Sequence, residues 1–227
     1  MSLELFENLI WHALSGPHAH FSQGGEVARR YAPGFSPILG FADRYDPDFG
    51  ALEDICQVGE HFYCEGWSGP APAGWHIEMD ATMVKMAFAG EPPPEQDIPN
   101  LVTLGPEHAA QALALAQLTK PGPFGLRTVE LGEYFGVIEN GELIAMAGER
   151  MHAMPLREIS GVATHPDARG RGLAGRLMSH LVRRQMLRGE QPVLHVMTGN
   201  AAARQLYEFM GWRQHLEVTV RVIARVA

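Results

Sequence analysis

The stretch His165-Pro166-Asp167-Ala168-Arg169-Gly170-Arg171-Gly172-Leu173-Ala174-Gly175 constrains this chain more than any other. It joins a strand-like run, 156–164, to a helical run from about 172 to 188 whose apolar face carries Leu173, Leu177, Leu181 and Val182. Glycines let backbone N–H groups approach a ligand with no Cβ in the way. The start of the helix adds unpaired N–H groups and the positive end of its dipole. Together these features predict a cradle for a phosphate or pyrophosphate. A tight strand-to-helix turn with no ligand is the alternative, and it is the commoner case for such a turn in isolation.

The surrounding pattern gives the turn a setting. A strand is expected over 100–104, and a helix over 106–119 with Pro106 at its start. Segments 134–138 and 143–147 flank Asn140-Gly141, the pair that suits a type I′ hairpin turn. Strand 192–197, helix 201–210 and strand 217–223 follow the long helix. The order is strand, helix, three strands, helix, strand, helix, strand, a mixed α/β fold. Earlier in the chain, 3–14 has helical spacing, 35–41 and 61–67 read as strands around a short helix at 49–58, and 75–79 as a strand. The segment after Asp80 fits helix or strand.

Charge divides the chain near Glu91-Pro92-Pro93-Pro94-Glu95-Gln96-Asp97, where three prolines hold the backbone extended. Residues 1–97 carry 4 basic and 15 acidic side chains, and 98–227 carry 14 basic and 11 acidic. We therefore expect an N-terminal α/β region, 1–97, and a second domain, 98–227. With 227 residues, 46% apolar and 19% charged, the chain is of globular composition. Its net charge of -8 disfavours nucleic-acid binding driven by charge. No apolar run approaches the roughly 18 residues that span a bilayer, and Glu4 and Glu7 replace the basic start of a secretory signal. Cys56 and Cys64, the two cysteines, make neither a disulfide framework nor a zinc set, so a cytoplasmic location is expected.

Two ligand chemistries compete for the turn. Gly170, Gly172 and Gly175 satisfy G-x-G-x-x-G, the dinucleotide fingerprint. That fingerprint should be followed by an acidic residue at the end of the next strand, where this chain has Thr198 and Gly199. Arg169-x-x-Gly172-x-Ala174 instead resembles the acyl-CoA loop of the GNAT N-acetyltransferase superfamily. The preceding strand, Glu158 to Thr164, is similar to that family's. So is the ending Asn200-Ala201-Ala202-Ala203-Arg204-Gln205-Leu206-Tyr207-Glu208-Phe209-Met210-Gly211-Trp212. The resemblance covers about 98–227, and in detail it is to the subgroup that includes glycine N-acyltransferase-like proteins. Residues 1–97 show no such motif; a degenerate second copy of the fold is one reading of them.

The resemblance implies acetyl-CoA as acyl donor, no metal, and a cofactor arm lying between two splayed strands. Backbone groups of Val162, Ala163 and Thr164 would pair with that arm. N–H groups from Arg169 through Gly170, Arg171, Gly172, Leu173 and Ala174 would hold the pyrophosphate, with Arg171 or Arg176 reaching a phosphate. Asn200 matches a position that bonds the arm; as a plain helix N-cap it would serve equally. Tyr207 matches the family's general acid, since a phenol stays protonated and can donate to a departing thiolate; a core tyrosine is the alternative. Glu158 is the candidate base and Glu149 the reserve. A strand carboxylate tied to Arg150 or Arg157 is the competing reading of Glu158.

Other features carry less. His18-x-His20 lacks a third ligand at metal spacing. His195 faces either the cofactor or the core. Trp11, Trp67 and Trp75 line a pocket or fill a core. The acidic first half favours a cationic amine acceptor by electrostatic steering, or simply faces the basic second half. The expected activity is transfer of an acetyl group to a primary amine of a small molecule, amino acid or peptide, by a monomer or homodimer. The rivals are a non-catalytic acyl-CoA-binding or partner-binding module, and an NAD(P)-linked oxidoreductase.

Overall fold

A computed structural model describes residues 3–227. From the N-terminus its elements are α1 (Glu4–Glu7), α2 (Leu9–Ser15), β1 (Ser22–Gly24), β2 (Ala28–Tyr31), β3 (Leu39–Phe41), β4 (His61–Glu65) and β5 (Trp75–Phe88). There follow β6 (Leu101–Thr103), α3 (Ala109–Thr119), β7 (Tyr134–Glu139), β8 (Glu142–Ala153) and β9 (Leu156–Thr164). The chain closes with α4 (Leu173–Leu187), β10 (Gln191–Met197), α5 (Ala201–Phe209) and β11 (Trp212–Arg225). Eight strands form one sheet in the order β4-β11-β5-β10-β9-β8-β7-β6, and β1-β2-β3 form a small second sheet. The pairs of the large sheet are antiparallel except β9 with β10.

The proline-rich segment is an extended connection, as its composition predicts, yet hydrogen bonding crosses it. β5 comes from the acidic first half and lies between β10 and β11 of the second. Residues 3–97 thus complete the same sheet, and among the described ones none forms a counterpart of the long helix and glycine turn.

Alternation along the strands sorts the helices onto two faces. Val84, Met86, Leu194 and Val196 pack with Leu177 and Leu181 of α4. Their neighbours Ala87 and Val193 pack with Leu9 and Ala13 of α2. In β8, Ala145 and Ala147 face α4, whereas Met146 meets Leu115 of α3. So α2 and α3 cover one face and α4 the other.

Several elements differ from the sequence pattern for physical reasons. The helix expected over 3–14 breaks at Asn8, whose side-chain amide donates to the Phe41 carbonyl at 2.9 Å. Only Leu39–Phe41 of 35–41 is strand; Pro37 lacks the N–H a ladder needs. The helix expected over 49–58 is one 3₁₀ turn, Gly50–Leu52. β5 runs on to Phe88, and its second part is buried on both faces because it is central, which is why its pattern does not alternate. β8 extends beyond 147 through Gly148-Glu149-Arg150, and both charged residues are buried. The hairpin turn forms as expected, with φ 52° at Asn140 and 83° at Gly141.

Candidate active site

The parallel pairing of β9 and β10 stops early. Leu156, Arg157 and Glu158 pair with Gln191, Pro192 and Val193, and nothing beyond them does. Each strand then follows its other neighbour, β8 or β5, and the two separate. A cavity of about 420 Å³ occupies the gap. It passes between the faces of the sheet. Val162, Ala174, Asn200 and Tyr207 line it toward α4 and α5, and Tyr63, Glu65, Met79 and Met83 from the first half line it elsewhere.

At the start of α4, Gly170 and Gly172 take φ of 78° and 74°, a backbone that L side chains rarely adopt. A Cβ on either would meet nothing within 4 Å, so open space lies beside the turn. The N–H groups of residues 170–175 find no carbonyl partner among the described residues; that of Arg176 is the first, to Gly172 at 3.1 Å. This is the unfilled donor set an anionic group needs. Arg169 and Arg176 are exposed without an ion-pair partner among the described residues. The Arg171 guanidinium clamps Glu139 at 2.5 and 3.0 Å. The turn and the strand gap fit the pyrophosphate and arm of coenzyme A. Ala163 is buried, pointing its side chain into the α3 cluster, and the Thr164 hydroxyl is buried without a partner.

Asn200 does what an N-cap does, its Oδ1 accepting from the Ala203 N–H at 3.2 Å, and it also lines the cavity. Tyr207 is half-buried beside Trp212 and faces the cavity; burial pushes its phenol up to about 12. It therefore holds its proton at any working pH.

Glu158 is fully buried. Its carboxylate accepts from Arg150 at 2.6 and 3.0 Å and lies 2.7 Å from Nδ1 of His195. Burial alone would raise its pKa; Arg150 and then His195 outweigh that and hold it at about 2. The salt-bridged reading of this residue is the one the geometry realises. A carboxylate so held is a weak proton acceptor, and its contact with the cavity runs through His195 and Arg150, which both line it. Glu149, the reserve candidate, is buried away from the cavity and accepts from Gln185 and Arg188.

His195 is the residue the sequence left open, and it faces the cavity. Its Nε2 is buried with no hydrogen-bond partner. A histidine whose Nδ1–H is given to a buried carboxylate presents Nε2 as an acceptor, the orienting arrangement used in acyl-transfer triads. The Nε2 lies 3.9 Å from Oε2 of Glu65, whose Oε1 accepts from the buried ammonium of Lys85 at 2.5 Å. Neither Glu65 nor Lys85 stood out in the sequence as a site. The available signal was a titratable residue inside an otherwise apolar strand, as in Val84-Lys85-Met86 and Leu194-His195-Val196.

His18, weighed as a ligand, is instead buried between Tyr31, at 2.8 Å, and His152, at 3.1 Å. Trp67 and Trp75 pack with Phe49 in a core. Among the described residues no group of three His, Cys, Asp or Glu is placed to hold a metal, and no helix is long and apolar enough to cross a membrane. The dinucleotide reading of the turn needs a parallel doubly wound sheet, and among the described strands of the large sheet β9 and β10 alone pair in parallel.

Comparison with known proteins gives the same picture. The family of FR47-like proteins matches residues 134–222. A structure from Novosphingobium aromaticivorans assigned to the GNAT acetyltransferases is 32% identical, with a TM-score of 0.86 over 98% of this chain and 99% of that one. A GCN5-related N-acetyltransferase from Kribbella flavida, 15% identical, shares the fold with a TM-score of 0.59 over 96% and 95%. A GCN5-related N-acetyltransferase-like protein from Streptococcus suis, 14% identical, does so at 0.55 over 95% and 92%. No curated protein matches by sequence. With a relative of 32% identity over 98% of its length and two splayed central strands in its sheet, this chain belongs to the GNAT family of acetyltransferases.

Proposed function

We propose that the protein transfers an acetyl group from acetyl-CoA to a primary amine by direct attack on the thioester. One observation carries this reading: the gap between β9 and β10 joins a donor-rich glycine turn to a cavity holding both an oriented histidine and a protonated tyrosine. The turn holds the pyrophosphate, and backbone groups of Val162 to Thr164 hold the arm. The ammonium of the acceptor sheds one proton to solvent. As the C–N bond forms and the C–S bond breaks, the remaining excess N–H proton passes to Nε2 of His195. The departing thiolate takes the Tyr207 proton. Solvent returns the proton held by His195 to Tyr207. In this reading Glu158 is a positioning residue: it fixes the ring of His195 and is itself fixed by Arg150. The resemblance to glycine N-acyltransferase-like proteins keeps amino-acid amino groups among the acceptors. The two free cysteines, both buried, fit a reducing cytoplasm.

The test is calorimetric titration with acetyl-CoA, with NAD and NADP in parallel, followed by thiol release with an amine panel. Saturable binding of acetyl-CoA alone, with turnover, is expected. In Tyr207→Phe, turnover should fall by about 10²-fold with acetyl-CoA affinity retained. Binding without any turnover across the panel would favour a non-catalytic acyl-CoA module. Binding of NAD or NADP alone would overturn the reading.

A further inference from the structure

Resting on the acyltransferase reading, we propose that the acceptor is a primary amine on an apolar body, its nitrogen seated between Oε2 of Glu65 and Nε2 of His195. The two atoms are 3.9 Å apart, too far for a hydrogen bond to each other. Both are buried, neither has a hydrogen-bond partner, and both residues line the cavity. Each is fixed from behind. Lys85 donates to the other Glu65 oxygen at 2.5 Å and completes its own shell with the Phe6 and Glu7 carbonyls, at 2.8 and 3.0 Å. Glu158 holds the other His195 nitrogen at 2.7 Å.

With Nδ1–H given to Glu158, the seat consists of two unpaired acceptors 3.9 Å apart on residues that line the cavity. It calls for a single centre carrying at least two N–H bonds. A nitrogen at ordinary hydrogen-bond lengths, about 2.9 Å, reaches both atoms. A hydroxyl brings one hydrogen and leaves one acceptor bare, which is costly in a buried site. The Glu65 carboxylate adds attraction for an ammonium. It is also the sole acidic side chain of the first half on the cavity wall, so acceptor charge is read by this one residue rather than by the overall acidity of residues 1–97.

Much of the remaining wall is apolar, with Ile10, Ile38, Met79, Met83 and Val220, and its charged members apart from Glu65 are the cations Lys120 and Arg150. A second cationic group on the acceptor would find no further carboxylate among the lining residues and would meet Lys120 and Arg150 instead. The class that fits is therefore an aralkyl or alkyl primary amine, in preference to a polyamine or a basic peptide.

Thiol release from acetyl-CoA is measured for 2-phenylethylamine, hexylamine, spermidine and 2-phenylethanol. The enzymes are wild type, Glu65→Gln, and Glu65→Gln/Lys85→Met, which removes both buried charges at once should the single variant fail to fold. Calorimetric acetyl-CoA affinity and thermal melting are recorded for each. The wild type should favour the two apolar amines over spermidine and leave the alcohol untouched. In whichever variant folds, KM for 2-phenylethylamine should rise about 10–100-fold, with acetyl-CoA affinity within about twofold. A folded variant with unchanged amine KM, or a wild type that prefers spermidine, would overturn the seat while leaving the acyltransferase reading intact. Failure of the wild type to bind acetyl-CoA would overturn both.

Discussion

Two buried glutamates on neighbouring strands, Glu149 in β8 and Glu158 in β9, look alike in sequence and do different things. Glu149 belongs to a cluster beside α4, where Arg157, Arg184 and Arg188 meet Glu133, Glu149 and Glu190. Both of its oxygens are occupied: Oε1 takes Gln185 and Arg188, and Oε2 accepts from the Glu133 N–H at 3.3 Å. Glu158 belongs to a row, Arg150, Glu158, His195, Glu65, Lys85, that ends its hydrogen bonds in mid-row. The unspent atoms, Nε2 of His195 and Oε2 of Glu65, are buried and belong to residues that line the cavity. Burial and charge are common to both groups. What separates a functional network from a structural one here is where the unsatisfied atoms point.

Kinetics should show this contrast most strongly. His195→Ala should lower turnover by about 10²–10⁴-fold with acetyl-CoA affinity preserved, while Glu149→Gln should leave turnover nearly unchanged in a less stable protein. Comparable losses of turnover in both would break the comparison.

The next effect is on stability. Arg150→Met leaves Glu158 buried without its guanidinium, and urea unfolding should show a loss of about 3–5 kcal/mol. Arg188→Met should cost less, because Arg188 is 35% exposed and Arg157 remains beside Glu149 and Glu190. Equal losses would mean that the two clusters are energetically alike.

Acid sharpens the comparison further. The Glu158 carboxyl is depressed from 4.5 to about 2, so its stabilising contribution is complete above the ordinary carboxylate range and is lost as pH falls from 4.5 toward 2. Burial lowers His18 from 6.5 to about 3 and His152 to about 4. The unfolded chain therefore takes up those protons first, and stability should already decline as pH falls below 6.5. Unfolding midpoints measured from pH 7 to 3 should fall from about 6.5 downward and more steeply below 4.5, where Glu158 adds to the histidines, and His18→Asn should lessen the slope across the whole span from 6.5 to 3.

The smallest effect concerns Asn200. Asn200→Ala removes a helix cap worth about 1 kcal/mol and should also weaken acetyl-CoA binding if the side chain serves both roles. A change in melting alone would leave it a cap and nothing more.

Much of the second half was legible because its signals are local. The Asn140-Gly141 turn, the α4 stripe and the Arg169 to Ala174 loop each declare themselves within a few residues. Glu158 and Tyr207 were also visible, through the strand and ending around them. What stayed hidden depends on pairing across the chain. The position of β5 between β10 and β11 comes from a contact across more than a hundred residues, and no periodicity within 75–88 reveals it. Lys85 and Glu65 became intelligible only once β4 and β5 had placed them beside His195. The sequence could name Arg150 or Arg157 as partners for Glu158, but not that His195 would stand between that carboxylate and the cavity.

Chemical rescue tests the central claim most directly. Thiol release by His195→Ala should be measured at saturating acetyl-CoA and amine, with and without added imidazole. If His195 takes the proton from the acceptor, the variant is slow and imidazole restores a saturable part of the rate, with no effect on Glu149→Gln. Wild-type turnover by His195→Ala without imidazole would contradict the account and return the role of base to another group.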